Sequence, residues 1–169
     1  GGSTFSETVA ITDTVKQKIK ELSSLAPLHN PANLEGVLVS EKIFPEAIQV
    51  AVFDTAFHQT MPKEAYTYAI PKHYLKEHKI RAYGFHGTSH KYVSEKAIEY
   101  LNKDQSKIIT IHLGNGCSMT AIKDGICMDH SLGFAPMNGL IMGTRSGDIA
   151  HAVIFYMLKD LGHSIDEVY

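Results

Sequence analysis

The chain has 169 residues, 44% hydrophobic and 20% charged, with a formal net charge of −2; these are globular proportions, and without a Lys/Arg block they exclude a nucleic-acid or anionic-membrane surface. No apolar run nears the roughly 18–20 residues that span a bilayer, and no signal-peptide pattern opens the chain. Cys117 and Cys127 make neither a disulfide framework nor a metal-ligand spacing, so the expectation is a reduced, cytoplasmic protein.

In chain order, residues 13–25 are predicted to be a helix capped by Thr12 or Asp13, with Val15, Ile19, Leu22 and Leu25 on one face. Pro27 stops it. Asn30 as N-cap and Pro31 at the first helical position launch a second helix, which turns Leu34, Val37 and Leu38 toward a core. The nearly continuous apolar run Ile48–Phe53 predicts a strand covered on both faces. Asp54 lies just past its end, at the carboxyl edge where open α/β sheets bind ligands; a solvated loop carboxylate or helix cap is the alternative.

Residues 64–70 alternate Ala65, Thr67 and Ala69 against Tyr66, Tyr68 and Ile70, predicting another strand, and Pro71 starts a short helix. Gly84 and Gly87 bracket Phe85-His86 on a tight turn, after which Thr88 or Ser89 caps a helix running to about Leu101. His86 and His90 have the spacing of a metal pair, but Gly87 opposes a helix there and no Glu follows His86; loop packing is the default. His73, His78 and His163 read as surface residues.

Ile108–Leu113 enters the turn Gly114-Asn115-Gly116, and Cys117–Ile122 leaves it, predicting a β-hairpin. These turn residues admit positive φ, which aims backbone N–H groups outward as an anion cradle. Taken alone, such a turn more often only joins strands. Lys123-Asp124-Gly125 then turns into a third strand, Ile126–Met128, completing an antiparallel meander. The loop Met142–Asp148 sets Arg145 between glycines before a helix with Ile149, Val153, Ile154, Met157, Leu158 and Leu161 on its apolar face, ended by Gly162. Ser164-Ile165-Asp166-Glu167 is a capping box with two residues after it, and the chain opens on Gly1-Gly2 without Met. Both ends suggest an internal fragment of a longer chain.

Leu25–Leu34, Val50–Pro62, Tyr83–His90, Ile109–Ala121 and Gly143–Ile149 together resemble, in order, the signature segments of the acetate kinase family; propionate kinases share much of the pattern. The resemblance implies an α/β fold of actin-like ATPase, sugar-kinase-like (ribonuclease H-like) lobes, here truncated at both ends. Residues 1–57 would end the first lobe and 58–169 begin the second. The implied reaction is reversible transfer of the ATP γ-phosphoryl group to acetate, giving acetyl phosphate and ADP, with Mg2+, in an enzyme that is a homodimer at full length.

By the same resemblance Asp54, His86 and Arg145 are catalytic, and His112, Leu113, Gly114, Asn115 and Gly116 form a loop on the nucleotide phosphates. Leu28, Phe85 and Pro136 wall the acetate methyl, with His29 beside them. The family's direct metal ligands and adenosine pocket lie outside this chain. One departure is Ala150-His151, where the family usually shows Asp-Pro. Another short acid as substrate, and a fragment that folds without catalysing, are the competing readings.

Overall fold

The structure is a computed structural model that describes residues 4–24, 29–103 and 105–168. Leu25–Leu28, and with them the expected helix end at Leu25 and the pocket residue Leu28, lie outside the described residues.

Thr12 starts the first helix: its hydroxyl accepts from the N–H of Val15 at 3.3 Å, satisfying a donor that a helix start leaves unpaired. α1 spans Asp13–Glu21 and tightens into a 3-10 turn over Leu22–Ser24. α2 spans Asn30–Ile43, with Pro31 in its first turn. Its cap is His29, not Asn30. The Asn30 side chain instead donates to the Ile19 carbonyl at 3.1 Å, and Lys16 bridges Glu41 at 2.9 Å, so two polar links tie α2 to α1. The expected core face of α2 is incomplete: Leu34 and Val37 are half-buried, while Leu38 is 51% exposed.

Of the run Ile48–Phe53, only Val50–Ala51 form a strand, β2, paired antiparallel with β1 (Val9–Ala10). The strand is not covered on both faces. Ile48, Val50 and Val52 are exposed, while Phe53 is buried with the Phe5 ring stacked on it at 4.3 Å. A 3-10 turn over Phe57–Thr60 follows.

The strand expected at 64–70 is absent. Lys63–Tyr66 form α3, a single turn begun by Pro62, because the tyrosines are engaged by tertiary partners rather than a neighbouring strand. The Tyr66 ring carries the Arg81 guanidinium at 3.7 Å, and the Tyr68 hydroxyl accepts from the Phe134 N–H at 2.7 Å. α4 (Lys72–His78) starts after Pro71 as expected, and α5 spans Gly87–Leu101.

β3 (Lys107–Leu113), β4 (Cys117–Lys123) and β5 (Ile126–His130) form the predicted antiparallel meander, in the order β3-β4-β5. β5 extends past Met128 because Thr120 pairs with His130 across the ladder. The turn between β4 and β5 has Asp124 at φ 52° and Gly125 at φ 78°, the left-handed pair that matches strand twist. The inner face of this sheet is partly polar. Thr110, Ser118 and Thr120 are buried against α5 and the Phe57–Thr60 turn, whereas Ile109, Ile111 and Leu113 are 70%, 55% and 79% exposed.

α6 (His151–Lys159) begins after Ala150, which supplies no side-chain cap, and Gly162 follows it at φ 75°. α7 (Ile165–Val168) carries the predicted capping box: Glu167 accepts from the Ser164 N–H at 2.8 Å, and the Ser164 hydroxyl accepts from the Glu167 N–H at 3.3 Å. Accessible surface totals 11503 Å², against roughly 8,300 Å² for a compact monomer of this mass.

Candidate active site

Residues 84–87 form a sharp bend held from four sides. His86 occupies the left-handed region at φ 58° and is itself the N-terminal cap position of α5, so neither Thr88 nor Ser89 caps that helix. Its N–H donates to Asp54 Oδ2 at 2.7 Å, and the Gly87 N–H donates to the Asp54 carbonyl at 2.8 Å. One residue thus receives two successive amides of the bend. The Phe85 N–H donates to His130 Nε2 at 3.1 Å, and the Phe85 carbonyl receives His58 Nε2–H at 2.8 Å.

Those two bonds define the tautomers of His58 and His130, since an amide N–H only donates and a carbonyl only accepts. Burial holds both rings uncharged, pushing His58 down to about 4 and His130 to about 2. The second nitrogen of His58 then accepts from the Cys127 thiol at 3.2 Å, and burial, pushing that thiol up to about 12, keeps its proton in place. Gly84, at φ 72°, makes room for this arrangement: a Cβ there would meet the His58 ring at 2.6 Å.

From the other side the hairpin tip approaches. The tip does not adopt the positive φ expected of it: neither Gly114, Asn115 nor Gly116 lies in the left-handed region, and the Gly114 N–H donates inward to the Gly116 carbonyl at 2.9 Å. Gly116 is required by proximity instead. A Cβ there would stand 2.9 Å from His86 Nε2 and 3.2 Å from Arg145 Nη1. An imidazole nitrogen and a guanidinium therefore converge on one point. Arg145 is held by its own loop, donating from Nη1 to the Pro136 carbonyl at 3.0 Å, and among the described residues no carboxylate lies within salt-bridge distance of it. Asp148 closes the base of that loop, accepting from the Gly139 N–H at 2.8 Å while its own N–H donates to the Gly139 carbonyl at 2.8 Å.

These groups line one cavity of about 480 Å³, shared by Asp54, Phe85, His86, Gly116, Pro136 and Arg145, with His29 at its rim. Tyr83 and Phe134, which sequence reasoning did not single out, complete its apolar wall. His112 lies outside the cavity but stacks on His86 with ring centroids 4.2 Å apart, and accepts or donates at Nδ1 with Ser89 at 2.9 Å. Leu113, Gly114 and Asn115 project from the hairpin tip and do not line it. Burial lowers the His86 pKa, and the neighbouring His112 and Arg145 lower it further against the opposing effect of Asp54. Among the described residues no cluster of three or more His, Cys, Asp or Glu is arranged to hold a metal ion; His90 turns from His86 to buried hydroxyls. A pair of N–H donors beside an apolar wall suits a small organic anion next to a larger polyoxyanion.

The acetokinase family model matches residues 1–169. The chain belongs to the acetokinase family. The curated acetate kinase of Flavobacterium johnsoniae is 70% identical over 168 residues, covering 99% of this chain and 42% of that protein. The acetate kinase of Thermotoga maritima is 54% identical over 171 residues, covering 100% of this chain and 42% of its own length. Among solved structures, a propionate kinase from Francisella tularensis superposes with TM-score 0.94 at 52% identity, over 99% of this chain and 44% of that one. Porphyromonas gingivalis acetate kinase gives 0.93 at 50% identity, over 99% and 43%. This acetokinase chain thus spans somewhat over two-fifths of the length of the relatives it matches, and shares their α/β fold.

Proposed function

We propose that the full-length protein is an acetate kinase, transferring the ATP γ-phosphoryl group reversibly to acetate. The observation that carries this reading is the convergence of His86 Nε2 and Arg145 Nη1 beside Gly116, at the end of an apolar-walled cavity. In phosphoryl transfer, charge spreads over the equatorial oxygens, so preorganised donors aimed at them supply most of the catalysis. Arg145 offers a planar fork to two such oxygens and His86 a single N–H to a third. The hairpin tip closes over the phosphates, with Gly116 the part of it nearest the transferred group. Phe85 and Pro136 face the acetate methyl, and His29 marks the rim.

Asp54 is no general base in this scheme. A small carboxylic acid has a pKa of about 4.3, like a Glu side chain, so acetate arrives ionised and offers no proton to remove. Asp54 instead fixes the bend that aims His86, through its bond to the His86 N–H, and adds negative charge near which the Mg2+ of the ATP substrate is favoured. Residues 1–57 belong to the first lobe and 58–169 to the second. This boundary is supported by Thr60 Oγ1, which donates to the Cys127 carbonyl of β5 at 3.2 Å, tying the chain just past residue 57 to the second sheet. The 169-residue chain by itself does not catalyse the reaction, and calorimetry with Mg–ATP is expected to show little or no binding.

The test is kinetic, on the full-length protein. Arg145→Ala is expected to lower kcat by about 10²–10³-fold. Asp54→Asn, which keeps an oxygen for the His86 N–H, is expected to lower kcat while leaving thermal stability in place. Full activity of Asp54→Asn at saturating Mg2+ would remove the charge of Asp54 from the mechanism and leave only its bond to the His86 N–H. A second acid is supported by the propionate kinase superposition. One methylene in an apolar pocket is worth about 1–3 kcal/mol, so initial rates with acetate, propionate and butyrate should fall gradually with chain length.

A further inference from the structure

His86 reaches a phosphoryl oxygen only through Nε2, the nitrogen beside Gly116 and Arg145; Nδ1 turns away toward the sheet. A neutral imidazole carries one proton, and with that proton on Nδ1 the ring would present a lone pair to an anion. The side of the ring that bears hydrogen therefore decides whether His86 attracts or repels the migrating group.

We propose that Ser118, His90 and Thr110 form a one-way chain of hydrogen bonds that keeps the proton of His86 on Nε2, and so act as positioning residues for phosphoryl transfer. The proposal rests on the acetate kinase reading above. The chain is continuous: His86 Nδ1 lies 2.8 Å from Ser118 Oγ, Ser118 Oγ lies 2.7 Å from His90 Nε2, and His90 Nδ1 lies 2.7 Å from Thr110 Oγ1. Ser118 and His90 are 0% and 1% exposed, and Thr110 is 4% exposed, so water does not compete for these groups. They come from three elements, β4, α5 and β3, and the strand residues occupy the inward face of the sheet.

The direction follows from counting protons. Ser118 has one hydroxyl hydrogen and touches two imidazoles, so it donates to at most one of them. For His86 to carry its proton on Nε2, its Nδ1 must accept, and Ser118 must donate to it. Ser118 then accepts from His90 Nε2–H. This leaves His90 Nδ1 as an acceptor, which the Thr110 hydroxyl satisfies. Every buried donor meets an acceptor and every ring stays neutral. A charged His90 would stand 5.9 Å from the His58 ring and 5.3 Å from that of His130, and both its ring nitrogens meet hydroxyls rather than a carboxylate. Burial and these neighbours hold His90 down to about 4. The reverse orientation would satisfy the same hydroxyls but put a lone pair into the cleft, opposite to what an anion needs.

The experiment uses the full-length protein with 15N-labelled imidazoles, inorganic phosphate as the anion, and steady-state kinetics alongside. The expected spectrum shows His86 and His90 both protonated at Nε2. Ser118→Ala removes the donor to His86 Nδ1. Its His86 should become a tautomer mixture, with kcat about five- to tenfold lower, the loss of one modest hydrogen bond, and KM for acetate within about twofold. Ser118→Thr keeps the hydroxyl and should restore both readouts. Thr110→Val, similar in shape and not in contact with His86, should shift the same tautomer ratio. It also serves as the second variant if Ser118→Ala does not fold. A wild-type His86 protonated at Nδ1 with phosphate bound would overturn the proposal, as would a Ser118→Ala spectrum unchanged from wild type. Absence of phosphoryl transfer by the wild type would overturn the kinase reading instead, while the imidazole spectra still decide the relay.

Discussion

His86 combines a left-handed backbone, at φ 58°, with an exposed functional edge, and the first costs a non-glycine residue about 1–2 kcal/mol. The bonds from Asp54, His58 and His130 to the bend offset that cost, so the strain sits where the site needs a fixed direction. His86→Asn tests the separation of the two roles. Asparagine tolerates the left-handed region but lacks the ring, so its unfolding free energy should stay within about 1 kcal/mol of wild type while kcat falls about 100-fold. A parallel loss of stability, read by urea denaturation, would mean that the ring is packing rather than chemistry. Asp54, His86 and Arg145, which line one cavity, stood out in sequence as candidates because each sits at a turn flanked by small residues or just past an apolar run. His58 and His130 were not. They lie far apart along the chain with no periodic partner, and only the fold brings both onto the backbone N–H and C=O of one residue, Phe85.

At the scale of elements, the strongest local signals were those with their own closing chemistry. Thr12, the Asp124-Gly125 turn and the Ser164/Glu167 box each satisfy backbone groups with neighbours in sequence, and each appears where expected. Where the outcome depended on a distant partner, pattern misled. The alternation at 64–70 became a helical turn because Arg81 and Phe134 claim the tyrosines. The hairpin was foreseen, yet the reason for its glycines was not: Gly116 answers to the crowding of His86 and Arg145 rather than to backbone φ. α6 offers a prediction of its own. Ala150, at φ −61° and ψ 121°, holds the N-cap position with no side-chain acceptor. Ala150→Asp with His151→Pro supplies a capping carboxylate and a pre-set first residue, and should stabilise the protein by about 1 kcal/mol. A lower denaturation midpoint in the double variant would show that His151 has a partner worth more than the cap.

Across the whole molecule, the buried imidazoles set an acid limit. His58 and His90 lie near 4 when folded, against an ordinary value of 6.5. As pH falls through this interval the unfolded chain takes up protons that the folded chain refuses, so stability is present above about 6.5 and drains away toward 4. Each ring contributes a slope of about 1.4 kcal/mol per pH unit there. Chemical denaturation at pH 7.5, 6 and 5 should show a falling midpoint. A midpoint that does not move would place both rings in contact with water.

The two faces of β3 separate two properties that usually travel together. Neighbouring positions on a strand point to opposite sides, so the apolar exterior of β3 at Ile109, Ile111 and Leu113 faces away from Thr110 and His112 behind it. This chain spans about two-fifths of the length of its relatives, so that apolar exterior is a surface on which the remainder of a full-length protein can seat.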